Sequence, residues 1–137
     1  MKFKKLVLTG AAGRLGSYLR EPLAAMCEEL VSSDIAEDIG KLYEGERYQK
    51  ADLAEYDQVA ALMEGADMVV HFSAIVDEKP FMELLGPNFV GSYNVWESAY
   101  QAGARRVVYA SSIHAVGMHK KSDFIGIDAP HKPDTFY

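Results

Sequence analysis

The sequence predicts an α/β protein built on a doubly wound parallel sheet. Three observations carry that expectation. Short, nearly continuous apolar runs alternate with segments whose apolar residues recur at helical spacing. The runs end in glycine or polar residues, as strands buried on both faces do. A glycine-rich turn, TGAAGRLG, lies where the first run gives way to the first helical segment. Crossover connections between parallel strands are right-handed, so few topologies remain, and the doubly wound sheet leads them.

The elements follow in order. KKLVLTG is a buried strand ending in glycine, and RLGSYLREPLAAMCEEL is a helix. Pro22 interrupts that helix, bending it or marking its first or last well-formed turn. ELVSSD is the second strand, and RYQKADL, after a polar connection, is the third. YDQVAALMEGA is a short helix stopped by glycine. DMVVHFSA is the fourth strand, NFVGSYNVWESAYQAGA a long helix, and RRVVYASS the fifth strand. The remainder, from Ile113 to Tyr137, holds two of the five prolines and reads as loop. Residues 1–137 thus form one domain, with no repeat, linker or low-complexity stretch.

Composition narrows the function classes. About half the residues are hydrophobic and a quarter charged, ordinary values for a globular protein of 137 residues. The net charge of −6 argues against nucleic acid as a partner. No apolar run reaches membrane-spanning length, and the basic start MKFKK leads straight into a strand, so no membrane partner or targeting peptide is read. The single cysteine, Cys27, excludes an internal disulfide framework and reads as a packing residue of the first helix. These features fit a cytoplasmic protein. His71, His114, His119 and His131 have no ligand-like spacing with Cys or clustered carboxylates, so no metal site is expected. Phe89, Tyr93, Trp96 and Tyr100 fall on one helical stripe, which reads as core or subunit interface.

Gly10, Gly13 and Gly16 occupy the turn between the first strand and first helix. Glycines there permit a tight turn and let the backbone approach a pyrophosphate, while the helix start offers unpaired N–H groups and a positive dipole end. The spacing is G-x-x-G-x-x-G, and a merely flexible turn is the competing explanation. Asp34, which ends the second strand 18 residues after Gly16, supplies the context. A carboxylate there accepts hydrogen bonds from both hydroxyls of an adenosine ribose and repels a 2′-phosphate. NAD is therefore favoured over NADP, although Arg14 inside the loop would help NADP. Asp52 follows the third strand, where it either reads an adenine amino group or caps the next helix.

With these residues in place, the chain resembles the extended short-chain dehydrogenase/reductase family, also called the NAD-dependent epimerase/dehydratase family. The carriers are TGAAGRLG, Asp34, ADL, VVHFSA, PNFVGSYNVWESA and VVYASSIHAVG. Within the family it resembles the NAD-dependent uronate (hexuronate) dehydrogenases, through DEKPF, NFVGSYNVWESA and ASSIHAVG. The resemblance implies a Rossmann-type sheet, of which this chain holds the first five strands with flanking helices. It places Gly10, Gly13, Arg14, Leu15, Gly16, Asp34, Asp52, Leu53, Phe72, Ser73, Ala74 and Asn88 around NAD. Gly91 lets its helix approach a neighbour closely. On the sugar side it places Val76, Ser111, Ser112, Ile113 and His114.

The implied chemistry needs a serine, a tyrosine and a lysine. Ser112 matches the family's catalytic serine, which orients the reacting oxygen. Tyr137, 25 residues later, matches the proton-transferring tyrosine that begins a Y-x-x-x-K motif. The chain departs from its relatives at Ile113, where they carry Asn, and at Val76, where they tend to carry Ser. Both changes remove hydrogen-bonding groups from the sugar face. No lysine follows Tyr137, so the chain as read is expected to be inactive, with later strands and a substrate-binding region absent and a sheet edge uncovered. The reading is an oxidoreductase acting on a small sugar or sugar acid, oxidising glucuronate or galacturonate to its lactone, and homo-oligomeric when full length. A sugar-nucleotide epimerase or dehydratase, or a non-catalytic dinucleotide-binding module, are the alternatives.

Overall fold

The computed structural model describes residues 2–135. Five parallel strands form one sheet: β1 (Phe3–Thr9), β2 (Cys27–Ser33), β3 (Glu46–Tyr48), β4 (Met68–His71) and β5 (Arg106–Tyr109). Their spatial order is β3-β2-β1-β4-β5. The chain winds outward from β1 to β3, then returns to the other side of β1 to add β4 and β5. That reversal leaves a switch point between β1 and β4, where the connections at the carboxyl ends part and open a crevice. Thr9 pairs in register with Ser33 on one side and His71 on the other, so the three central strands end level beneath it.

Both faces of the central strands β2, β1 and β4 are covered, which is why they read as continuous apolar runs, whereas β5 at the edge is largely exposed. Leu6, Leu8, Leu30, Met68 and Val70 pack with Leu23 of α1 (Arg14–Ala24). Val7, Val31 and Val69, one residue out of phase, pack with Val59, Leu62 and Met63 of α2 (Tyr56–Met63) and Val95 and Ala99 of α4 (Gly91–Gln101). Alternation along a strand sends successive side chains to opposite layers. Full burial of each such aliphatic contributes about 1.5–3 kcal/mol.

Four sequence expectations change. Cys27 is buried as a packing residue, but it opens β2 and does not belong to the first helix, which stops at Ala24, two residues after Pro22, whose missing N–H removes a helical hydrogen bond. Burial raises the Cys27 thiol pKa, and its Sγ donates to the Leu23 carbonyl at 3.2 Å, the state of an unreactive thiol. The third strand is shorter than its apolar pattern suggested. The long helix begins early, as α3 (Phe81–Leu84), and passes through a π-helical turn (Leu85–Val90) into α4. Pro87 lies in that turn. It has no N–H, and in a regular α-helix its ring would crowd the Glu83 carbonyl, so the wider turn accommodates it. Finally, Phe89, Tyr93, Trp96 and Tyr100 are exposed, so the aromatic stripe is not core; Trp96 stacks on Tyr109 of β5 with ring centres 6.0 Å apart. Gly91 does permit a close approach, since a Cβ there would stand 3.0 Å from that of Leu53.

A buried ion pair joins α1 to the first residue of β3. Arg20 Nε meets Glu46 Oε1 at 2.7 Å, with both side chains almost wholly buried. The guanidinium also donates to the carbonyls of Ile39 and Lys41, and Glu46 accepts from the Ser32 hydroxyl and the Tyr43 amide. Burial disfavours the Glu46 carboxylate, but these donors outweigh it and hold the pKa below the usual carboxylate range.

Candidate functional site

The glycine turn forms one wall of a cleft of about 570 Å³ above the switch point. Gly10 has φ +75°, and a Cβ there would lie 2.7 Å from the Phe72 carbonyl carbon and the Ser73 nitrogen. A Cβ on Gly16 would lie 1.9 Å from the Gly10 oxygen. The turn is therefore pressed between the end of β4 and the first turn of α1, and side chains at either position would force them apart. No side chain caps the start of α1, which leaves its first amides facing outward beside Gly13. A cradle this close to backbone, at a helix N-terminus, fits a pyrophosphate.

Asp34 closes the other end of that cleft. Its Oδ1 accepts from the amides of Ile35 (2.8 Å) and Ala36 (3.2 Å), and its Oδ2 from the amide of Ala12 (3.0 Å). A carboxylate has about four acceptor positions, so one stays open on Oδ2 toward the cleft. Tyr48 supports the same corner, its hydroxyl lying against the carbonyls of Asp34 and Ala36. Asp52 and Leu53 line the far wall. Asp52 does not cap α2, whose N-cap is Glu55; its Oδ1 accepts from the Ala54 amide at 2.9 Å and so shapes the wall itself. Asn94 of α4 ties that wall down by donating to the Leu53 carbonyl at 2.8 Å. Arg14 and Leu15 stand exposed on the first turn of α1, outside the cleft lining.

Phe72, Ser73 and Ala74 form the cleft floor, and Ala74 also lines a second cavity of about 410 Å³. There Ser111 and Ser112, at the end of β5, face Asn88, Ser92 and Tyr109. Asn88 lies in the π-helical turn. Its side-chain amide accepts from the Ile75 amide at 2.8 Å and donates to the Ile75 carbonyl at 2.9 Å, which fixes the segment joining the two cavities. Ser112 starts the 3₁₀ turn Ile113–Val116, where its Oγ accepts from the His114 amide at 3.1 Å. That bond uses a lone pair and leaves the hydroxyl proton to donate.

Three expected sugar-side residues lie elsewhere. Val76 and Ile113 are 64% and 82% exposed, and neither lines the cavity. His114 also lies off the lining; its Nδ1 is 2.8 Å from Asp134 Oδ1. Tyr137 lies outside the described residues. Sequence reasoning gave no substrate-side role to Ser92, Tyr109 or His131, which do line the cavity. Among the described residues no cluster of His, Cys, Asp and Glu could hold a metal, and no helix is long and apolar enough to cross a membrane.

A polar chain runs from the buried end of β1 up to the wall of this cavity. Thr9 Oγ1 is 2.6 Å from His71 Nδ1, His71 Nε2 is 3.4 Å from Ser92 Oγ, and Ser92 Oγ is 3.4 Å from the Tyr109 hydroxyl. Burial lowers the His71 pKa from 6.5 to about 4. Protonation therefore favours the unfolded chain: the stabilising effect is complete above pH 6.5 and is lost as pH falls toward 4. Folding stability is expected to drop by about 2 kcal/mol between pH 7 and pH 5. Urea titrations at both pH values would test this, because a His71→Asn variant should lose most of that slope.

Comparison with known proteins follows the same geometry. Residues 6–137 match the NAD dependent epimerase/dehydratase family. A uronate dehydrogenase of Pseudomonas syringae pv. tomato is 42% identical over 135 residues, 98% of this chain and 49% of that protein. One from Agrobacterium fabrum is 40% identical, covering 98% and 50%. Among solved structures, a point mutant of uronate dehydrogenase from Agrobacterium tumefaciens, complexed with NAD, superposes with a TM-score of 0.90 at 40% identity, covering 96% of this chain and 49% of that one. Glucuronic acid dehydrogenase from Chromohalobacter salexigens gives 0.93 at 34% identity, covering 98% and 50%. The chain spans about half the length of the curated relatives it matches.

Proposed function

The chain belongs to the NAD dependent epimerase/dehydratase family, and from that membership we propose that it is the cofactor-binding part of an NAD-dependent dehydrogenase oxidising a uronic acid at its anomeric carbon to the lactone. One observation carries this reading: the glycine-turn cleft and the serine-lined cavity meet at Ala74, so a cofactor in the first would put its reactive end beside Ser112. Gly10, Gly13 and Gly16 would admit the pyrophosphate, and the open acceptor of Asp34 would take a ribose hydroxyl while repelling a 2′-phosphate. Asp52 and Leu53 would border the adenine, and Phe72, Ser73 and Ala74 would support the middle of the cofactor. NAD, when bound, supplies the hydride acceptor. Ser112 would donate its free hydroxyl proton to the reacting oxygen, holding it in place, and Tyr137 would take the proton from it. Asn88 would brace both cavities through Ile75. The exposed stripe of Tyr93, Trp96 and Tyr100 supports a homo-oligomer, and the buried free thiol suits the cytoplasm.

Protein expressed from the complete reading frame should reduce NAD when given glucuronate or galacturonate; turnover of neither would overturn the proposal. Asp34→Ala should raise the KM for NAD by about tenfold to a hundredfold and weaken the preference over NADP, since it removes charge-assisted hydrogen bonds. Steady-state kinetics with both cofactors would measure it.

A further inference from the structure

Tyr137 stands 25 residues after Ser112, and the loop between them is largely exposed over residues 120–130. Such a loop cannot by itself keep the two in a constant relation, because many of its conformations are close in free energy. Contacts across its neck do so instead. The His119 ring donates from Nε2 to the Pro130 carbonyl at 2.8 Å. The Met118 amide donates to the Lys132 carbonyl and the Lys132 amide to the Ala115 carbonyl, each at 2.9 Å.

Asp134 closes the neck at the end nearest Tyr137. Its amide donates to the His114 carbonyl at 3.3 Å, and its Oδ1 lies 2.8 Å from His114 Nδ1. A carboxylate only accepts, so Nδ1 carries the proton of that bond. Gly117 gives the carboxylate its room, since a Cβ there would stand 2.2 Å from Asp134 Oδ2. His114 is therefore a hub. Its amide donates to Ser112 Oγ at 3.1 Å, while its carbonyl and its ring both engage Asp134. One residue thus links the serine hydroxyl to the backbone three residues before Tyr137.

Resting on the proposed dehydrogenase function, we infer that Asp134 is a positioning residue: clamped onto His114, it registers the chain leading to Tyr137 against Ser112, so that both hydroxyls serve one reacting oxygen. Asp134 itself handles no proton of the reaction. The clamp acts on rate and not on cofactor affinity, because neither Asp134 nor His114 lines the glycine-turn cleft. Misplacement of a reacting group by about 1 Å is enough to cost on the order of a hundredfold in rate.

The test uses protein from the complete reading frame with galacturonate. Asp134→Ala should lower kcat by about tenfold to a hundredfold and leave the KM for NAD within about twofold. Asp134→Asn keeps an acceptor for Nδ1–H and should restore kcat to within about threefold of the parent. Gly117→Ala keeps both partners but pushes the carboxylate off the ring, and should lower kcat as Asp134→Ala does; it carries the comparison if Asp134→Ala does not fold. Residues that act as a unit are non-additive, so either substitution placed on Ser112→Ala should cost less than about threefold more. Unchanged kcat in Asp134→Ala or Gly117→Ala, or the same loss with and without Ser112, overturns this inference and spares the proposed function. Failure of the unsubstituted enzyme to oxidise any uronate overturns both.

Discussion

Replacing Ser112 by Ala is expected to lower kcat for the sugar acid by about two to three orders of magnitude, with the KM for NAD within about threefold. The geometry explains the division. Ser112 faces the second cavity and lies outside the glycine-turn cleft, so cofactor affinity should not depend on it. Its Oγ is anchored by the His114 amide, and this anchor aims a single proton into the cavity. A methyl group keeps the volume but can neither anchor nor donate. Loss of the cap also costs about 1 kcal/mol of local stability, too little to account for such a fall. Rate measurements with cofactor saturating, alongside a thermal melt, separate the two effects. A variant with unaltered kcat would remove Ser112 from the mechanism.

Glu46→Ala carries the largest expected effect on folding, a loss of about 3–5 kcal/mol. The substitution leaves the Arg20 guanidinium almost wholly buried with only the carbonyls of Ile39 and Lys41, and strips Ser32 and the Tyr43 amide of their acceptor. The cost comes from the stranded charge more than from the lost pair. Arg20→Met combined with Glu46→Leu should therefore recover much of the stability that either partner's loss removes. Denaturant titrations of the three proteins decide the point; equal stability of Glu46→Ala and the parent would show that water reaches the guanidinium.

Much of this architecture is legible in the chain itself, for identifiable reasons. The segments of β1 and β4 are apolar on both faces because both faces are covered, and that pattern needs no knowledge of neighbours. The turn TGAAGRLG marks itself because sterics exclude side chains at Gly10 and Gly16. The misreadings fall where distant contacts outvote local pattern. Cys27 has helical spacing from Leu23, yet pairing of Phe3 with Cys27 draws it into the sheet. The aromatic stripe of Phe89 and α4 leaves core and subunit interface both open in sequence, because periodicity reports a common face and cannot report what covers it, and its exposure excludes only the core. His131 lay hidden in a proline-rich loop, and only the backbone bonds between residues 115–118 and 132–134 bring it to the cavity. His114 was the more conspicuous histidine because it stands in ASSIHAVG, one of the segments that carry the resemblance.

Asn88 adds a consequence of another kind. Its amide meets both the N–H and the C=O of Ile75, as the backbone of an adjacent strand would. One side chain thus supplies a rung of ladder past the end of β4, where no strand is present to do so. An aspartate, nearly identical in shape, offers acceptors at both tips and would set a carboxylate against the Ile75 carbonyl. A leucine of similar volume offers neither group. The junction between the two cavities therefore depends on the identity of one nitrogen atom, a chemical requirement that size and hydropathy do not express.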